Sequence, residues 1–366
     1  MLFVLRRKCK IVRTGMARYS QRMLPRQRIE AALSWRTPDR IPLQIHPSPA
    51  GLFEHGTKLL DLMRSLENDF CDSALFRMPE PPGPADFDAD GRYHAIRTDE
   101  WGTTWEYRIF GIWGHPISWP LDDLAALPGW HAPAPPSMEE PKLAAARATA
   151  DAQRRRWYLV GDGGALFETL RWVRRFESIL MDIEDDTPEI NQIADIINGY
   201  NAALVRHALA LDADAVQFGD DLGSQNSLMI SPDAFRRFFK PRYKELFAPV
   251  RAAKKRLFFH SCGQVTSVLK DLREVGVDAI WPQLPLYDLP DLARRCRDLG
   301  LAVLLHPDRG DLMQRETPAQ IREYVLRLLD AFDTAHGGSW LYIEIDPGFP
   351  WKNVEALFSI AREVRG

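Results

Sequence analysis

Residues 256–306 decide the fold, and they read RLFFHSCGQVTSVLKDLREVGVDAIWPQLPLYDLPDLARRCRDLGLAVLLH. Three short apolar runs alternate here with two stretches that carry apolar residues at three- and four-residue spacing. Short runs of this kind are typical of buried strands, and the spacing between them is typical of amphipathic helices. Alternating strands and helices predict parallel strands joined by crossover helices.

The same alternation continues on both sides of this stretch. Eight runs are expected as strands: 41–46, 72–76, 157–162, 215–220, 256–262, 279–283, 301–306 and 340–346. Helical patterns cover 165–181, 188–211, 232–252, 264–275, 289–299, 317–335 and 351–364. Ser231-Pro232 and Thr317-Pro318 mark helix starts, and Gly276 and Gly300 mark helix ends. Eight such units predict an α/β fold, a closed (β/α)8 TIM barrel. A doubly wound sheet is the alternative, but no strand ends in its GxGxxG fingerprint.

Residues 79–156 interrupt the alternation after the second expected strand. They contain the tryptophan-rich stretch WGTTWEYRIFGIWGHPISWP (101–120) and the proline-rich connector HAPAPPS (131–137). The alternation of apolar and polar residues in the first stretch predicts one or two β-hairpins. We therefore expect one barrel domain over 24–366, with 79–156 inserted on the face where barrel loops build active sites.

Composition restricts the class of protein. The chain has 366 residues, 45% hydrophobic and 27% charged, which is ordinary for a folded globular protein. No run of 18 apolar residues occurs, and the net charge is −3, so neither a membrane span nor a nucleic-acid partner is expected. Four cysteines at irregular spacing do not suggest a disulfide framework, which favours a cytoplasmic location.

The first residues differ from the rest of the chain. Residues 1–29 carry nine Lys or Arg and no Asp or Glu. A targeting peptide or an RNA-binding arm would have this composition. We favour a third interpretation, a basic and disordered extension over 1–23, with the working protein beginning near Met16 or Met23.

His260 and Cys262 stand two residues apart at the end of one expected strand, so their side chains leave the same face. Imidazole and thiolate are the two commonest zinc ligands, and such a pair can hold two corners of a tetrahedral site. A buried cysteine can equally be a small core residue, and a single HxC pattern does not decide between the two.

Asp220 and Asp221 follow the preceding strand directly, with Gln225 close behind. Adjacent carboxylates repel each other unless a cation or a hydrogen-bond donor lies between them. These three residues are the candidate catalytic group, in which a carboxylate binds substrate or acts as an acid or base. The alternative is a helix cap followed by a solvated loop acid.

Further candidates lie at other strand ends and in the insertion. The expected substrate-binding residues are His46, Asp162, Gln283, His306 and Trp105. Ordinary uses compete with this role, namely a tight turn after Asp162, a loop salt bridge near His306 and a small β core around Trp105. Glu344 and Asp346 share one face of the last strand, and we expect that face to point into the lumen because a carboxylate facing the helices would be costly.

Several segments together resemble a known family. They are SWRTPDRIP (34–42), DEWGTTW (99–105), GDDLGSQNSLMISPDAFRRFFKP (219–241), FFHSCGQV (258–265), GVDAIWPQ (276–283) and FPWKNVEAL (349–357). Their order is similar to that in the uroporphyrinogen decarboxylase-like superfamily, and most similar to its branch of corrinoid-linked methyltransferases. The resemblance runs from about Arg26 to the C-terminus and implies a (β/α)8 barrel whose site lies at the carboxyl ends of the strands.

The resemblance also implies ligands and a reaction. True uroporphyrinogen decarboxylases carry an arginine motif, RQAGRYLP, where this chain has IPLQIHPSPAGLFEHG (41–56), which argues against haem biosynthesis. In the methyltransferase branch the HxC residues bind zinc, here His260 and Cys262. The branch's third ligand is often a cysteine shortly before a segment that corresponds to Pro350–Asn353. No cysteine occurs there, and Glu344 is the nearest candidate.

The leading hypothesis is therefore a zinc-dependent methyltransferase that exchanges a methyl group between a small substrate and a corrinoid carried by a separate protein. The aromatic insertion favours an O-demethylase of methoxylated compounds, and a homodimer is compatible with this hypothesis. A metal-independent decarboxylase that uses Asp220 or Asp221 is the alternative. A non-catalytic, ligand-binding barrel is the third.

Overall fold

A computed structural model describes residues 22–366. The basic extension expected over 1–23 lies outside the described residues except for Arg22 and Met23. The backbone N–H of Met23 donates to the Asp39 carboxylate at 3.0 Å, which fixes the start of the described chain against the loop before the first strand.

Seven parallel strands curl around a central lumen. They pair in the order β1-β10-β9-β8-β7-β6-β5, so consecutive strands of the barrel are neighbours. Their bounds are β1 Leu43–His46, β5 Val160–Asp162, β6 Ala215–Gly219, β7 Arg256–Ser261, β8 Ala279–Pro282, β9 Ala302–Leu305 and β10 Ser339–Glu344. The α/β fold of TIM-barrel type expected from the sequence is confirmed.

The prediction of a second strand over 72–76 is wrong. Ser73–Leu75 form a 3-10 helix, because the Asp72 carboxylate accepts the N–H of Ala74 and starts a turn there. The place of the missing strand is taken by Asp69. Its N–H donates to the carbonyl of Leu43 at 2.9 Å, and its carbonyl accepts the N–H of Tyr158 at 3.1 Å. Asp69 thus bridges the two edges of the sheet.

Helices surround the strands. They are α1 Pro25–Leu33, α2 Pro49–His55, α3 Thr57–Arg64, α4 Lys142–Arg154, α5 Phe167–Val173, α6 Phe176–Asp185, α7 Pro188–Ala210, α8 Pro232–Ala234, α9 Lys240–Ala252, α10 Leu269–Val275, α11 Leu289–Leu299, α12 Asp311–Arg315, α13 Pro318–Ala331 and α14 Trp351–Arg365. A π-helical turn, Phe235–Phe239, joins α8 to α9. Within residues 22–366, no helix is long and apolar enough to cross a membrane.

The expected helix boundaries are confirmed at four places. Ser231 and Thr317 accept backbone N–H groups of the turns that follow them, each with proline at the first helical position. Gly276 and Gly300 end α10 and α11 with φ of +116° and +67°, a region that favours glycine.

Two apolar layers hold the barrel together. The larger lies between strands and helices, and a smaller aromatic one fills the lumen with Tyr158, Phe258 and Trp340. Helix α1 closes the amino-terminal end of the lumen with Ile29 and Leu33. Because α1 fills that end, the open end of the lumen in the described part of the chain lies at the carboxyl ends of the strands, where the loops gather.

The tryptophan-rich stretch forms a separate antiparallel sheet. Its strands are β2 Ala95–Thr98, β3 Thr104–Tyr107 and β4 His115–Ser118, joined as two successive hairpins. Trp105 lies in the middle strand, 3% exposed, and its indole N–H donates to Asp99 at 2.7 Å.

Candidate functional site

Strand β7 carries its chemistry on the lumen face. Phe258 belongs to the aromatic layer of the lumen, and His260, two residues later, leaves the same face. His260 and Cys262 both line a cavity of about 310 Å³ at the open end of the barrel. The imidazole Nδ1 lies 2.9 Å from the carbonyl oxygen of Trp281. Since a carbonyl only accepts, Nδ1 carries the proton and Nε2 is turned toward Cys262.

Asp221 completes a compact group of three, which we name the Asp–His–Cys cluster. Its ligand atoms, one from each of Asp221, His260 and Cys262, all lie within 4.8 Å of one another. The His260 Nε2 is 3.3 Å from the Asp221 carboxylate and 3.5 Å from the Cys262 sulfur. The N–H of Cys262 also donates to Asp221 at 2.8 Å, so the acid is held in place by the chain that carries the other two groups.

Two glycines allow the loops that carry this cluster to touch. A Cβ on Gly263 would lie 2.1 Å from the carbonyl group of Gly223, and a Cβ on Gly223 would lie 2.4 Å from the backbone nitrogen of Gln264. Gly263 also has φ of +76°. Without side chains at both positions, the loop after β6 packs directly on the loop after β7 and brings Asp221 to Cys262.

The electrostatics of the cluster favour charge pairing. Burial alone would lower the pKa of His260, but the hydrogen bonds with Asp221 and Cys262 outweigh it and raise that pKa. Burial alone would raise the pKa of Asp221, yet the His260 partner holds it well below its usual range. In the metal-free protein the two groups therefore form an imidazolium–carboxylate pair.

The donor set suits zinc. Imidazole nitrogen, thiolate sulfur and carboxylate oxygen are its accepted ligands, and three protein ligands leave a fourth position for substrate or water. The Nε2 of His260 faces the Asp221 carboxylate and the Cys262 sulfur, while Nδ1–H is anchored to a carbonyl, as is usual for metal-bound histidines. Binding a cation there requires His260 to lose its extra proton.

Asp220, by contrast, points into the protein and is 1% exposed. Its carboxylate accepts the N–H groups of Leu166 and Glu168, at 3.1 and 3.0 Å, and the hydroxyl of Tyr243. Burial raises its pKa to about 7 against the effect of these donors. The structure thus separates the adjacent acids, with Asp220 holding the start of α5 and Asp221 facing the cluster. Gln225 lies exposed in the following loop.

Glu344, expected as the third metal ligand, is not among the groups that gather at His260 within the described residues. The reason is its strand. It pairs in register with His46 on β1, and β10 is separated from β7 by two strands. Its carboxylate accepts the hydroxyl of Tyr342 at 3.1 Å and lies 4.0 Å from the His46 imidazole. Asp221 takes its place beside His260 and Cys262.

A second and larger cavity of about 1060 Å³ adjoins the first, and Trp281 and Arg309 line both. We name it the aromatic cavity. Its wall includes Trp101, Trp113, Trp172, Tyr200 and Tyr342. Trp113 stacks on Trp172 with ring centres 5.2 Å apart, and Trp101 meets Tyr200 edge to face at 5.1 Å.

The expected substrate-binding residues divide between these surfaces. His46 and Asp162 line the aromatic cavity, whereas Gln283 and His306 line the smaller one. Gln283 accepts the N–H of Gly263 at 3.0 Å, and burial lowers the pKa of His306 well below its usual range, so that ring is neutral. Trp105 lies behind Trp113, because its hydrogen bond to Asp99 and its packing keep it in the small sheet.

Sequence reasoning missed Trp172, Tyr200 and the Asp221–Cys262 contact. Trp172 and Tyr200 lie on α5 and α7, where one aromatic residue in a helical pattern does not reveal whether it faces a cavity. The contact had a usable signal, since β6 and β7 follow each other in the chain and neighbours in a barrel pair.

The family model described as uroporphyrinogen decarboxylase (URO-D) matches residues 116–364, more than half of the chain. The chain belongs to the uroporphyrinogen decarboxylase family. The structure of a methyltransferase from Methanosarcina mazei is similar to that of this protein, with a TM-score of 0.61 and 16% sequence identity. The similarity covers 94% of this chain and 100% of the methyltransferase. At this identity the similarity establishes a shared fold.

Two further solved structures are less similar to this protein. A B12-independent methionine synthase from a Shewanella species has a TM-score of 0.41 and 10% identity, with 74% of each chain covered. A dihydropteroate synthase from Xanthomonas albilineans has a TM-score of 0.35 and 17% identity, covering 56% of this chain and 68% of that one. Among curated proteins, none is similar enough in sequence to count as a match.

Proposed function

We propose that this protein is a zinc-dependent methyltransferase that moves a methyl group between a small substrate and a corrinoid protein. The observation that carries the proposal is the Asp–His–Cys cluster, placed at the open end of the barrel beside the aromatic cavity. Membership in the family and the fold shared with a methyltransferase support it.

His260, Cys262 and Asp221 would hold the zinc. Bound there, zinc would act as a Lewis acid on the atom that carries the methyl group. The Trp281 carbonyl fixes the His260 ring, and the Cys262 N–H fixes Asp221, so the donors need little rearrangement. The aromatic cavity would position the substrate so that its methyl group points to the barrel mouth.

The methyl acceptor would be a corrinoid on a separate protein, and a methoxylated aromatic compound is the substrate class that we infer from the aromatic lining. Trp113, 68% exposed, stands at the rim and its ring is stacked on Trp172. An open rim of this kind leaves room for a partner protein to approach, and an aromatic wall favours a flat ring.

The family model is described as a decarboxylase, so the metal-independent decarboxylase expected as the alternative is the competing function. Substrates with several carboxylates need several cations. Within residues 22–366, Arg309 is the one Arg or Lys that lines the aromatic cavity, and it donates to both oxygens of Asp346, one at 3.0 Å. This lining favours methyl transfer over decarboxylation of a polycarboxylate.

Zinc analysis of purified variants tests the proposal. The wild-type protein is expected to hold close to one zinc per chain. Cys262→Ser, His260→Ala and Asp221→Asn each remove a proposed ligand, so each is expected to lower zinc affinity by more than the roughly 10- to 100-fold that loss of an outer-shell partner costs. Glu344→Gln is the matched control, because it removes a nearby carboxylate that lies outside the cluster. Demethylation of a methoxylated aromatic by the zinc-loaded protein, with a corrinoid protein as acceptor, is the second measurement.

Two results would count against the proposal. Full demethylation by a zinc-free protein would remove the metal from the mechanism, and decarboxylation by a zinc-free protein that does not demethylate would favour the decarboxylase. Retention of zinc by all three cluster variants, with loss in Glu344→Gln, would place the metal elsewhere in the barrel.

A further inference from the structure

The charges around the aromatic cavity are lopsided. Two carboxylates, Asp162 at the end of β5 and Glu344 at the end of β10, line it. In the part of the chain that the structure describes, neither forms an ion pair with a lysine or arginine. Asp162 accepts the N–H of Gly164 at 2.9 Å, and Glu344 accepts the Tyr342 hydroxyl, which are neutral donors.

The cation in this wall is already matched. Arg309 donates its Nε and one Nη to the two oxygens of Asp346 in a forked pair, so the Asp346 carboxylate offsets its charge. The His46 imidazole lies 4.0 Å from the Glu344 carboxylate. Among the described residues, the wall thus offers a carboxylate on the substrate no arginine or lysine that lacks an acidic partner.

Zinc at the Asp–His–Cys cluster would not change the balance of charge in the cavity. Zinc carries two positive charges, and the carboxylate of Asp221 with the thiolate of Cys262 supplies two negative ones, while His260 binds as a neutral ring. A zinc-loaded cluster would therefore be close to neutral, and Asp162 and Glu344 would set the sign of the field in the cavity.

The tryptophan rings of the wall also favour a positively charged ligand. Trp101, Trp113 and Trp172 all contribute to the wall. The face of an indole ring is electron-rich and attracts a cation at close range. The wall thus combines carboxylates with indole rings, and both kinds of group attract a cation.

We infer that the aromatic cavity selects its methylated aromatic substrate by charge, accepting cationic and neutral rings and rejecting rings that carry a carboxylate. The inference rests on the proposed function for the methyl group, but the charge selection itself concerns binding alone. Asp162 and Glu344 are the residues that determine it.

Three probes share one ring and differ in charge. Guaiacol is neutral, vanillylamine adds an ammonium group, and vanillate adds a carboxylate at neutral pH. Calorimetric titration of the zinc-loaded full chain is expected to rank them vanillylamine, guaiacol, vanillate, with vanillate at least about tenfold weaker than vanillylamine.

Charge variants then identify the cause. The double variant Asp162→Asn and Glu344→Gln keeps both hydrogen-bond acceptors and removes both charges, so the gap between vanillylamine and vanillate is expected to shrink by about tenfold. Asp233→Asn, which removes an exposed carboxylate on α8 outside the cavity wall, is the control and is expected to keep the gap.

The outcomes separate the inference from the proposed function. Equal or tighter binding of vanillate, binding of none of the three probes, or an unchanged gap in the double variant overturns the charge selection. Selective binding without methyl transfer to a corrinoid protein from any probe keeps the charge selection and refutes the proposed function. Methyl transfer that prefers vanillate supports the proposed function and refutes the charge selection.

Discussion

Gly263→Ala is expected to separate the loops that build the Asp–His–Cys cluster. A methyl group at this position would lie 2.1 Å from both the carbonyl carbon and oxygen of Gly223, which no side-chain rotation can relieve because both partners are backbone. The loop after β6 must move outward. Its movement pulls Asp221 away from the Cys262 N–H, now 2.8 Å from the carboxylate.

The size of the effect follows from the contacts that break. Alanine at φ of +76° costs about 1–2 kcal/mol in backbone strain. Two hydrogen bonds join the loops at this point, from Gly223 N–H to the Cys262 carbonyl at 3.2 Å and from Gln264 N–H to the Ser224 carbonyl at 2.8 Å. Losing both costs about 2 kcal/mol more, so the free energy of unfolding is expected to fall by about 3–4 kcal/mol.

Gly91→Ala isolates the strain from the clash. Gly91 has φ of +74°, lies exposed, and an added Cβ there meets no atom within 4 Å. Urea unfolding with chelator present is expected to show a loss of about 1–2 kcal/mol for Gly91→Ala. Competition with a chelating dye is expected to show weakened zinc binding for Gly263→Ala alone. Equal stability losses in the two variants, with zinc affinity unchanged in both, would refute the role of the glycine contact.

Two further predictions concern buried acids. Asp220→Asn is expected to lower the free energy of unfolding by about 2–3 kcal/mol, because the amide replaces an acceptor of three hydrogen bonds. Tyr243→Phe is expected to lower the free energy of unfolding by about 1 kcal/mol. Zinc content measured by mass spectrometry should stay near wild type in both variants. Zinc loss in Asp220→Asn would contradict the structural role of this acid. Asp69→Asn is expected to cost about 3–5 kcal/mol, because Arg28 and Arg365 both pair with this buried carboxylate. Chemical denaturation measures it, and a loss below 1 kcal/mol would show that Asp69 does not hold the barrel edges together.

The barrel could be predicted from the sequence because its signals are local. Apolar runs and helical spacing located seven of the eight expected strands, and Ser231, Thr317, Gly276 and Gly300 marked helix ends through their own backbone preferences. The failure at 72–76 had a different origin. Asp69 fills the place of that strand through two backbone hydrogen bonds and ion pairs with Arg28 and Arg365, which are distant in the chain. No local pattern encodes such pairing.

The site was predictable in part. Strand-end position and a two-residue spacing brought His260 and Cys262 to one face, and an acid pair directed attention to the end of β6. The sequence could not show that Asp220 points into the protein while Asp221 faces the cluster. Asp220 is satisfied by two N–H groups of α5 and by Tyr243, and those partners come from two other segments of the fold. The packing of the aromatic cavity has the same dependence on tertiary contacts.

The position of Asp221, rather than Glu344, beside His260 and Cys262 shows how chain order carries information in a barrel. Gly219 pairs in register with His260, so the residue two positions beyond Gly219 comes level with Cys262, two positions beyond His260. That residue is Asp221, and its carboxylate does accept the Cys262 N–H. Glu344 is level with His46 on the opposite side. Because consecutive strands in a (β/α)8 barrel are neighbours, an acid after the preceding strand reaches a His-x-Cys pair more readily than one three strands on.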